Sequence, residues 1–222
     1  MNRIQHIIWD FNGTLLDDVE LCINIMNRLL IKRGLPLLDR ARYSEVFQFP
    51  VIHYYQALGF DFQQDPFKNL AQEYITPYNK SVRHCSLYPG AFNTLAYFKE
   101  GGIKQYILSA FEHDELMQVL KHLDILHYFD DVTGLDNQHA ASKLQQGSQL
   151  LKANAINPET ALIIGDTHHD YDVANELNTH CLLIDHGHQS RQKLMALTQQ
   201  VVSDFEQIYP FVQSFELSQA SV

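Results

Sequence analysis

The chain has 222 residues, of which 45% are hydrophobic and 19% charged, a composition typical of a folded globular protein. This length suits one α/β domain with or without a small inserted domain. The formal net charge of −10 argues against nucleic acid or an anionic membrane as a partner. The three cysteines are widely spaced and indicate neither a disulfide framework nor a metal-binding pair. No apolar run reaches membrane-spanning length, so we expect a cytoplasmic protein, and its oligomeric state stays open.

The N-terminal third begins with one strand and continues as helices. The apolar run from Ile4 to Trp9 ends at Asp10, a pattern that predicts a buried strand opening into a loop. Apolar residues then recur at helical spacing from Asp17 until Gly34, which is expected to end the helix. The sequence stays helical in character to about Leu87 and contains exposed-looking aromatic residues there: Phe47, Phe49, Tyr54, Tyr55, Phe60 and Phe62.

After Pro89-Gly90 the pattern becomes an alternation of helices and strands. Strands are predicted at Gln105–Leu108, Ala161–Ile164 and Cys181–Ile184, and helices at Ala91–Lys99, Asp114–Leu123, Lys143–Ala153 and Phe205–Val212. Such alternation is typical of a doubly wound, Rossmann-like parallel sheet with helices on both faces. We therefore expect an α/β core domain formed by residues 1–16 and 87–222, interrupted by an inserted α-helical cap domain at 17–86.

Polar residues end three of the predicted strands, namely Asp10, Ser109 and Asp166. Ligands of open parallel sheets bind beyond the carboxyl ends of the strands, so these residues are expected to converge. A carboxylate at Asp10 can attack phosphorus and form an aspartyl-phosphate. Asp166 and Asp170 supply the oxygen ligands that Mg²⁺ prefers, while Ser109 and Lys143 can hold the transferring phosphoryl group.

Four segments in this order resemble the signature of the haloacid-dehalogenase superfamily. They are Asp-Phe-Asn-Gly-Thr-Leu at 10–15, Leu-Ser at 108–109, Lys143, and Gly-Asp-Thr-His-His-Asp at 165–170. The chain is most similar to the phosphoglycolate-phosphatase-like members, whose helical cap follows the first motif. The resemblance covers nearly the whole chain and implies a Mg²⁺-dependent phosphatase for a small phosphorylated metabolite, with phosphoglycolate as the suggested substrate.

The resemblance also implies a role for each matching residue. Asp10 is the expected nucleophile and a Mg²⁺ ligand, together with the main-chain carbonyl of Asn12. Asp166 is the expected third ligand, and Asp170 ligates directly or through water. The phosphoryl group is expected to contact Ser109, Lys143, Gly13 and Thr14.

Asn12 departs from the family pattern, which usually has a second aspartate as general acid and base at this position. An asparagine cannot exchange a proton, and the loss of such a group costs about 10²–10⁴ in rate. Metal and phosphate binding should persist, while turnover becomes slow or depends on another group. The candidates for that group are Asp17, Asp18, His168 and His169.

Asn12 also motivates an alternative function, a catalytically weakened fold-mate that binds a phosphorylated metabolite or a protein partner. The intact set of Asp10, Ser109, Lys143 and the two later aspartates favours an enzyme. A receiver-like phospho-acceptor module is a third possibility, which the length and the inserted helices disfavour.

Cap residues are expected to select the substrate, and Gln48, His53 and Tyr54 are candidates. A carboxylated substrate would need a cation in the cap, where Arg40 and Arg42 are the nearest. The close histidine groups are 168–169 and 186–188, and their spacing does not suit a helix-face zinc site. We expect them at the surface or behind the metal ligands.

Overall fold

A six-stranded parallel sheet forms the centre of the protein, whose computed structural model describes residues 3–135 and 142–217. The strands lie in the order β3-β2-β1-β4-β5-β6, and each neighbouring pair is parallel. This is the strand order of a doubly wound α/β fold, so the predicted fold class is confirmed. The strands are β1 His6–Trp9, β2 Lys104–Glu112, β3 Asp131–Leu135, β4 Ala161–Gly165, β5 His180–Ile184 and β6 Val201–Val202.

Ten α-helices occur in the described ranges 3–135 and 142–217. Four precede β2 in the cap region: α1 Val19–Ile31, α2 Arg40–Val46, α3 Val51–Ala57 and α4 Phe67–Ser81. Six accompany the sheet: α5 Ala91–Glu100, α6 His113–His122, α7 Lys143–Ala153, α8 His168–Glu176, α9 Arg191–Met195 and α10 Ile208–Leu217. None of the helices in these ranges is both long and apolar enough to cross a membrane.

The alternation of side chains along β1 explains why its sequence is apolar throughout. Ile7 and Trp9 pack into one hydrophobic cluster, which also includes the cap helices. Ile8 packs into a second cluster on the opposite face, with Leu150 and Val173 from α7 and α8. Since helices cover both faces of the sheet, no face of this strand needs polar side chains.

The strand carrying Ser109 is longer than the sequence indicates. The expectation that the strand ends at this residue is wrong, because β2 continues to Glu112 with Phe111 still buried. The pairing of β2 with β3 shifts register between Leu108 and Glu112. This irregularity sits beside Ser109 and bends the ladder at the point where the sequence suggested an end.

The two chain crossings between cap and sheet run side by side. Leu16 and Leu87 form an isolated antiparallel bridge, and the Asp17 N–H donates to the Ser86 carbonyl over 2.9 Å. Between them the structure contains helices and turns but no strand within residues 17–86. The exact division at residues 16 and 87 stays a prediction, because one apolar cluster continues from the sheet into the cap.

The cap aromatics look exposed in the sequence, but a place in the cap core is the more common role for such a stripe, and the structure shows it. Tyr54, Tyr55 and Phe60 are buried, while Phe47, Phe49 and Phe62 are half-buried. They contact one another edge-to-face, as in the Tyr54–Tyr55 and Phe47–Tyr54 pairs. The interior of the cap is therefore an aromatic core. The expected frayed tail at 218–222 lies outside the described residues.

Candidate active site

The site is built at the carboxyl end of the two central strands. Asp10 directly follows β1, and its N–H donates to the Ile164 carbonyl of β4 over 2.8 Å. Asp166 directly follows β4. Strands β1 and β4 are the neighbours at which the strand order changes direction, the position where doubly wound sheets bind their ligands. Two residues 156 positions apart in the chain are thus placed side by side by the sheet.

Asp166 is fully buried and held by two donors. The Thr14 hydroxyl donates to its Oδ1 over 2.9 Å, and the His188 N–H donates to its Oδ2 over 2.6 Å. Burial, followed by repulsion from Asp170, raises the pKa of Asp166 to about 8. A nearby cation would stabilise the ionised form of this buried carboxyl group.

Gly13 makes room for Asp166. Its φ is +75°, and a Cβ at this position would lie 2.5 Å from Asp166 Oδ2. Its N–H donates to Asp18 over 3.0 Å. Because the Thr14 hydroxyl is also bonded within the protein, these two residues support the carboxylates in this structure, and their predicted phosphoryl contacts stay predictions.

Lys143 connects two of the three site carboxylates. It is the first residue of α7, and its Nζ donates to Asp10 Oδ1 over 2.5 Å and to Asp170 Oδ1 over 2.6 Å. The lysine is nine-tenths or more buried, yet Asp10 and Asp170 outweigh this burial and raise its pKa, so the ammonium is charged. Burial opposes ionisation of Asp170 as well, but Lys143 outweighs it and lowers the pKa of that carboxyl.

Asp170 is positioned by the start of α8. Its Oδ2 accepts hydrogen bonds from the Thr167 N–H over 3.0 Å and from the Thr167 hydroxyl over 2.7 Å. Both oxygens of Asp170 therefore already accept from the protein. A water-mediated contact to a metal would preserve these bonds better than direct ligation.

The pKa of Asp10 is shifted in the opposite direction to that of Asp170. Its burial outweighs the attraction of Lys143, and the neighbouring aspartates add repulsion, so its pKa is raised to about 7. Three buried carboxylates with oxygens within 4.8 Å of one another, here Asp10, Asp166 and Asp170, surround a single ammonium group. When all are ionised, two negative charges remain uncompensated, and the all-oxygen donor set is the kind that Mg²⁺ prefers. The residues present thus fit a divalent cation.

Asn12 is tied to a buried network in the cap. Its Nδ2 donates to Asp18 Oδ2 over 3.1 Å and to the Tyr78 hydroxyl over 2.6 Å. The same Tyr78 hydroxyl donates to Asp18 over 2.6 Å, and Ser109 Oγ lies 3.5 Å from Asn12 Oδ1. Of the four sequence candidates for the missing proton carrier, Asp18 is the one that contacts Asn12, while Asp17 is exposed.

Sequence reasoning missed Tyr78 and left two places open for His188. His188 is buried, with its Nδ1 2.8 Å from the Tyr43 hydroxyl and its Nε2 3.5 Å from Asp18, and its N–H donates to Asp166, so it lies behind the expected metal ligands and not at the surface. Its ring also contacts Phe47. No spacing rule could have found Tyr78, which reaches Asn12 from a cap helix 66 positions away.

A cavity of about 200 Å³ opens between the carboxylates and the cap. Its floor is polar and includes Asp10, Lys143, Ser109 and Asp170, so the structure brings these predicted site residues together. Its cap side is lined by aromatic rings from the described segment between Tyr43 and Tyr78. The polar floor can take a phosphoryl group, and the aromatic side takes the remainder of a substrate.

The expected cap contacts are only partly found. Tyr54 lines the cavity, whereas Gln48 and His53 are outside the described lining. Arg40 donates to the His186 carbonyl over 2.6 Å, and Arg42 donates to the Leu37 carbonyl over 3.0 Å. Both arginines therefore bind main-chain oxygens at the outside of the cap.

The family model described as haloacid dehalogenase-like hydrolase matches residues 7–184. The chain belongs to this family. The match contains the carboxyl ends of β1 and β4 and the whole cap segment. It covers Asp10, Asn12, Ser109, Lys143, Asp166 and Asp170, while His186 and His188 lie beyond it. The predicted family is thereby confirmed.

Similar proteins of this hydrolase family include named phosphatases. A phosphoglycolate phosphatase of Synechococcus elongatus is 23% identical over 193 residues, covering 87% of this chain and 89% of its own. Pyrophosphatase PpaX of Bacillus cereus is 27% identical over 183 residues, covering 76% and 77%. A haloacid dehalogenase-like hydrolase of Streptococcus pneumoniae has the same fold, with a TM-score of 0.81, 23% identity and coverage of 95% and 99%. The prediction of a phosphatase enzyme is confirmed, while the substrates in these names differ.

Proposed function

We propose that this hydrolase is a Mg²⁺-dependent phosphatase that cleaves a small phosphoric monoester through an aspartyl-phosphate on Asp10. The observation that carries the proposal is the geometry around this carboxylate. Asp10 lies at the floor of the cavity, 2.5 Å from Lys143 Nζ and within 4.8 Å of the oxygens of Asp166 and Asp170. An acidic nucleophile, a fixed cation and a divalent-cation site are thus concentrated in one buried place.

In the first step, a carboxylate oxygen of Asp10 attacks phosphorus, and the bond from phosphorus to the ester oxygen breaks. The electron pair of that bond leaves with the alcohol as an alkoxide or phenoxide. Lys143 holds the attacking carboxylate in place, and Ser109, which lines the cavity floor, would donate to a phosphoryl oxygen. The Lys143 ammonium also offsets the negative charge that two anions bring together.

In the second step, water attacks phosphorus and the bond to Asp10 breaks. Asp10 returns to a free carboxylate and inorganic phosphate leaves. Water supplies the proton that the alcohol gains and the oxygen that the phosphate gains. Splitting hydrolysis in this way replaces one difficult displacement by two easier ones.

A magnesium ion would be held by Asp10, Asp166 and the Asn12 main-chain carbonyl, with Asp170 acting through water. Bound there, Mg²⁺ supplies positive charge against the phosphate oxygens. The residues Thr14 and Gly13 keep Asp166 in place for this purpose, one by donating its hydroxyl and the other by leaving room.

The proposal is tested by phosphate release from a panel of phosphoric monoesters, with and without Mg²⁺. Asp10→Asn should abolish release, because an amide is a poor nucleophile, while leaving the fold intact. Asp17→Asn is the matched control, since it makes the same change at an exposed position of the same segment and should retain activity. Equal activity of Asp10→Asn and the unchanged protein would refute the nucleophile.

The alternative function, a weakened fold-mate that only binds its ligand, rests on Asn12. Its amide is fixed by Asp18 and Tyr78, so it has no route to carry protons. Tight binding of a phosphoric monoester without release from any member of the panel would favour this alternative over the phosphatase.

A further inference from the structure

The wall of the cavity opposite the carboxylates is aromatic. Among the residues that the structure describes, seven aromatic side chains between Tyr43 and Tyr78 line it, joined by Phe111 from β2. Apolar contacts are added by Met26 and Val51. Such a wall gains free energy by taking an apolar group out of water, and rings add specific edge and face contacts.

The same wall has no lysine or arginine for a charged leaving group. Lys143 is the single lysine or arginine in the described lining, and it is paired with the carboxylates at the floor. Two histidines, His169 and His188, also line the cavity, and His188 Nε2 lies 3.5 Å from Asp18. No lysine or arginine occurs among the remaining residues of the sequence, 1–2, 136–141 and 218–222. The cap side instead carries Asp18, a carboxylate that accepts from Gly13, Asn12 and Tyr78. A second carboxylate on the substrate would meet repulsion here.

The size of the cavity suits a leaving group of about one ring. Its volume is about 200 Å³, and an engineered protein cavity of about 150 Å³ holds benzene. The phosphoryl group occupies the polar floor beside Lys143. The volume that remains beside the phosphoryl group suits a six-membered ring with few substituents.

The chemistry at Asn12 points in the same direction. This side chain cannot give a proton to the departing oxygen, and its amide is fixed by Asp18 and Tyr78. An alkoxide needs that proton, whereas a phenoxide is stable enough to leave without it. A site whose position 12 carries no general acid therefore works best on an ester of a phenol.

We infer that the substrate is an aryl phosphate monoester, a phosphate on an uncharged phenol of about one ring. The inference rests on the proposed phosphatase function and adds the class of its substrate. The aromatic wall binds the ring, the missing cap cation excludes carboxylated esters such as phosphoglycolate, and Asn12 selects a leaving group that needs no proton.

Two pairs of substrates separate the effect of ring binding from the effect of the leaving group. For each substrate, kcat/KM is measured with Mg²⁺. Benzyl phosphate against ethyl phosphate compares a ring with none at a similar alcohol, and we expect at least a tenfold preference for benzyl. Phenyl phosphate against benzyl phosphate compares leaving groups at equal ring size. Since no general acid assists the alkoxide, phenyl should be favoured by about 10² or more.

Charge is tested by a substitution at the mouth of the cavity. Ile75 lines it and is 37% exposed, so Ile75→Arg adds a cation with little effect on folding. This variant should raise kcat/KM for 2-phosphoglycolate relative to phenyl phosphate by about tenfold. Ile31→Arg is the matched control, because Ile31 is 63% exposed and outside the described lining, and it should leave the ratio unchanged.

Binding of inert phosphonates gives a readout that does not require catalysis. In titration calorimetry with Mg²⁺, benzylphosphonate should bind at least tenfold more tightly than phosphonoacetate, which carries a carboxylate instead of a ring. If benzylphosphonate binds in this way but no ester is hydrolysed, the aromatic site stands and the phosphatase function fails. Equal or tighter binding of phosphonoacetate, or hydrolysis of 2-phosphoglycolate as fast as phenyl phosphate, overturns the aryl class while leaving the phosphatase function intact.

Discussion

Replacing Asn12 by aspartate is expected to create an energetic conflict that the structure allows to be worked out. The Asn12 amide nitrogen lies 3.1 Å from Asp18 Oδ2. Asn12→Asp would place two carboxylates at that distance, and their repulsion is about 5 kcal/mol at an effective dielectric constant of about 20. The new carboxyl group can avoid this repulsion by keeping its proton, which then replaces one of the hydrogen bonds that the amide donates.

The cost of keeping that proton depends on pH. For a group with an ordinary pKa near 3.9, it is about 4 kcal/mol at pH 7 and about 1.5 kcal/mol at pH 5. Asn12 is half-buried, and water screening reduces these figures to about half. The pKa of the new carboxyl is raised in the folded protein, so the loss of stability grows as pH rises above about 4 and levels off once pH exceeds the folded pKa.

Urea denaturation with EDTA at pH 5 and pH 8 measures this effect. We expect Asn12→Asp to lose about 2 kcal/mol or more at pH 8 and less than 1 kcal/mol at pH 5. Asn12→Ala is the control, since it removes the same hydrogen bonds without a titrating group and should cost the same at both pH values. A loss of stability in Asn12→Asp that does not change with pH would show that the new carboxyl group is not repelled by Asp18.

The raised pKa of the carboxyl group introduced by Asn12→Asp should also increase turnover. A carboxyl group that is protonated near neutral pH can act as a general acid, so Asn12→Asp should raise turnover of simple alkyl phosphates while Mg²⁺ binding persists. An inactive Asn12→Asp variant, beside an unchanged protein that hydrolyses such esters well, would show that position 12 has been misinterpreted.

Three further expectations follow from the site. Mg²⁺ affinity should rise with pH until about pH 8 and then level off, because Asp166, whose pKa is raised to about 8, must lose its proton to bind metal; calorimetry at several pH values measures this. Gly13→Ala should lower stability by more than Gly102→Ala and weaken Mg²⁺ binding, since both glycines have φ near +75° but only Gly13 faces Asp166. Tyr54→Phe should raise stability by about 1 kcal/mol, because the Tyr54 hydroxyl is buried without a hydrogen-bond partner in the described structure, whereas Tyr43→Phe should lower it by breaking the bond to His188.

Each of these has a result that would count against it. Mg²⁺ affinity independent of pH would mean that Asp166 is already ionised in the metal-free protein. Equal losses of stability in Gly13→Ala and Gly102→Ala would mean that the backbone conformation alone causes the loss. The contact between position 13 and Asp166 would then contribute nothing. A Tyr54→Phe variant of reduced stability would mean that its hydroxyl is paired in solution, for example with water.

The sequence was sufficient for β1, β2, β4 and β5 and for the residues at their carboxyl edge, whereas β3 and β6 were not predicted. Apolar runs ending at Asp10 and Asp166 define β1 and β4, and parallel pairing then requires those residues to meet. Lys143 was predicted to begin a helix, and it is the first residue of α7. The start of this helix depends on local signals such as the Ser142 capping box. These features depend on short stretches of chain and on general rules of parallel sheets.

The cap could not be predicted to the same depth. Its short helices pack by aromatic contacts between distant residues, and those contacts have no period that a sequence reveals. Tyr78 and His188 are 110 positions apart in the chain and both contact Asp18, and no local pattern indicates such a meeting. The burial of the cap aromatics, which decides the chemistry of the cavity, is likewise a property of the packing alone.

The most direct test of Asp10 as the nucleophile is to trap the phosphorylated enzyme. The protein is mixed with phenyl phosphate and Mg²⁺, quenched in acid within the first turnover, reduced with borohydride and digested for mass spectrometry. Reduction of an aspartyl-phosphate gives homoserine, and we expect homoserine at position 10 in the unchanged protein and in Asp17→Asn but not in Asp10→Asn. Phosphate release in the first turnover without homoserine at position 10, or with homoserine at another position, would show that Asp10 is not the nucleophile.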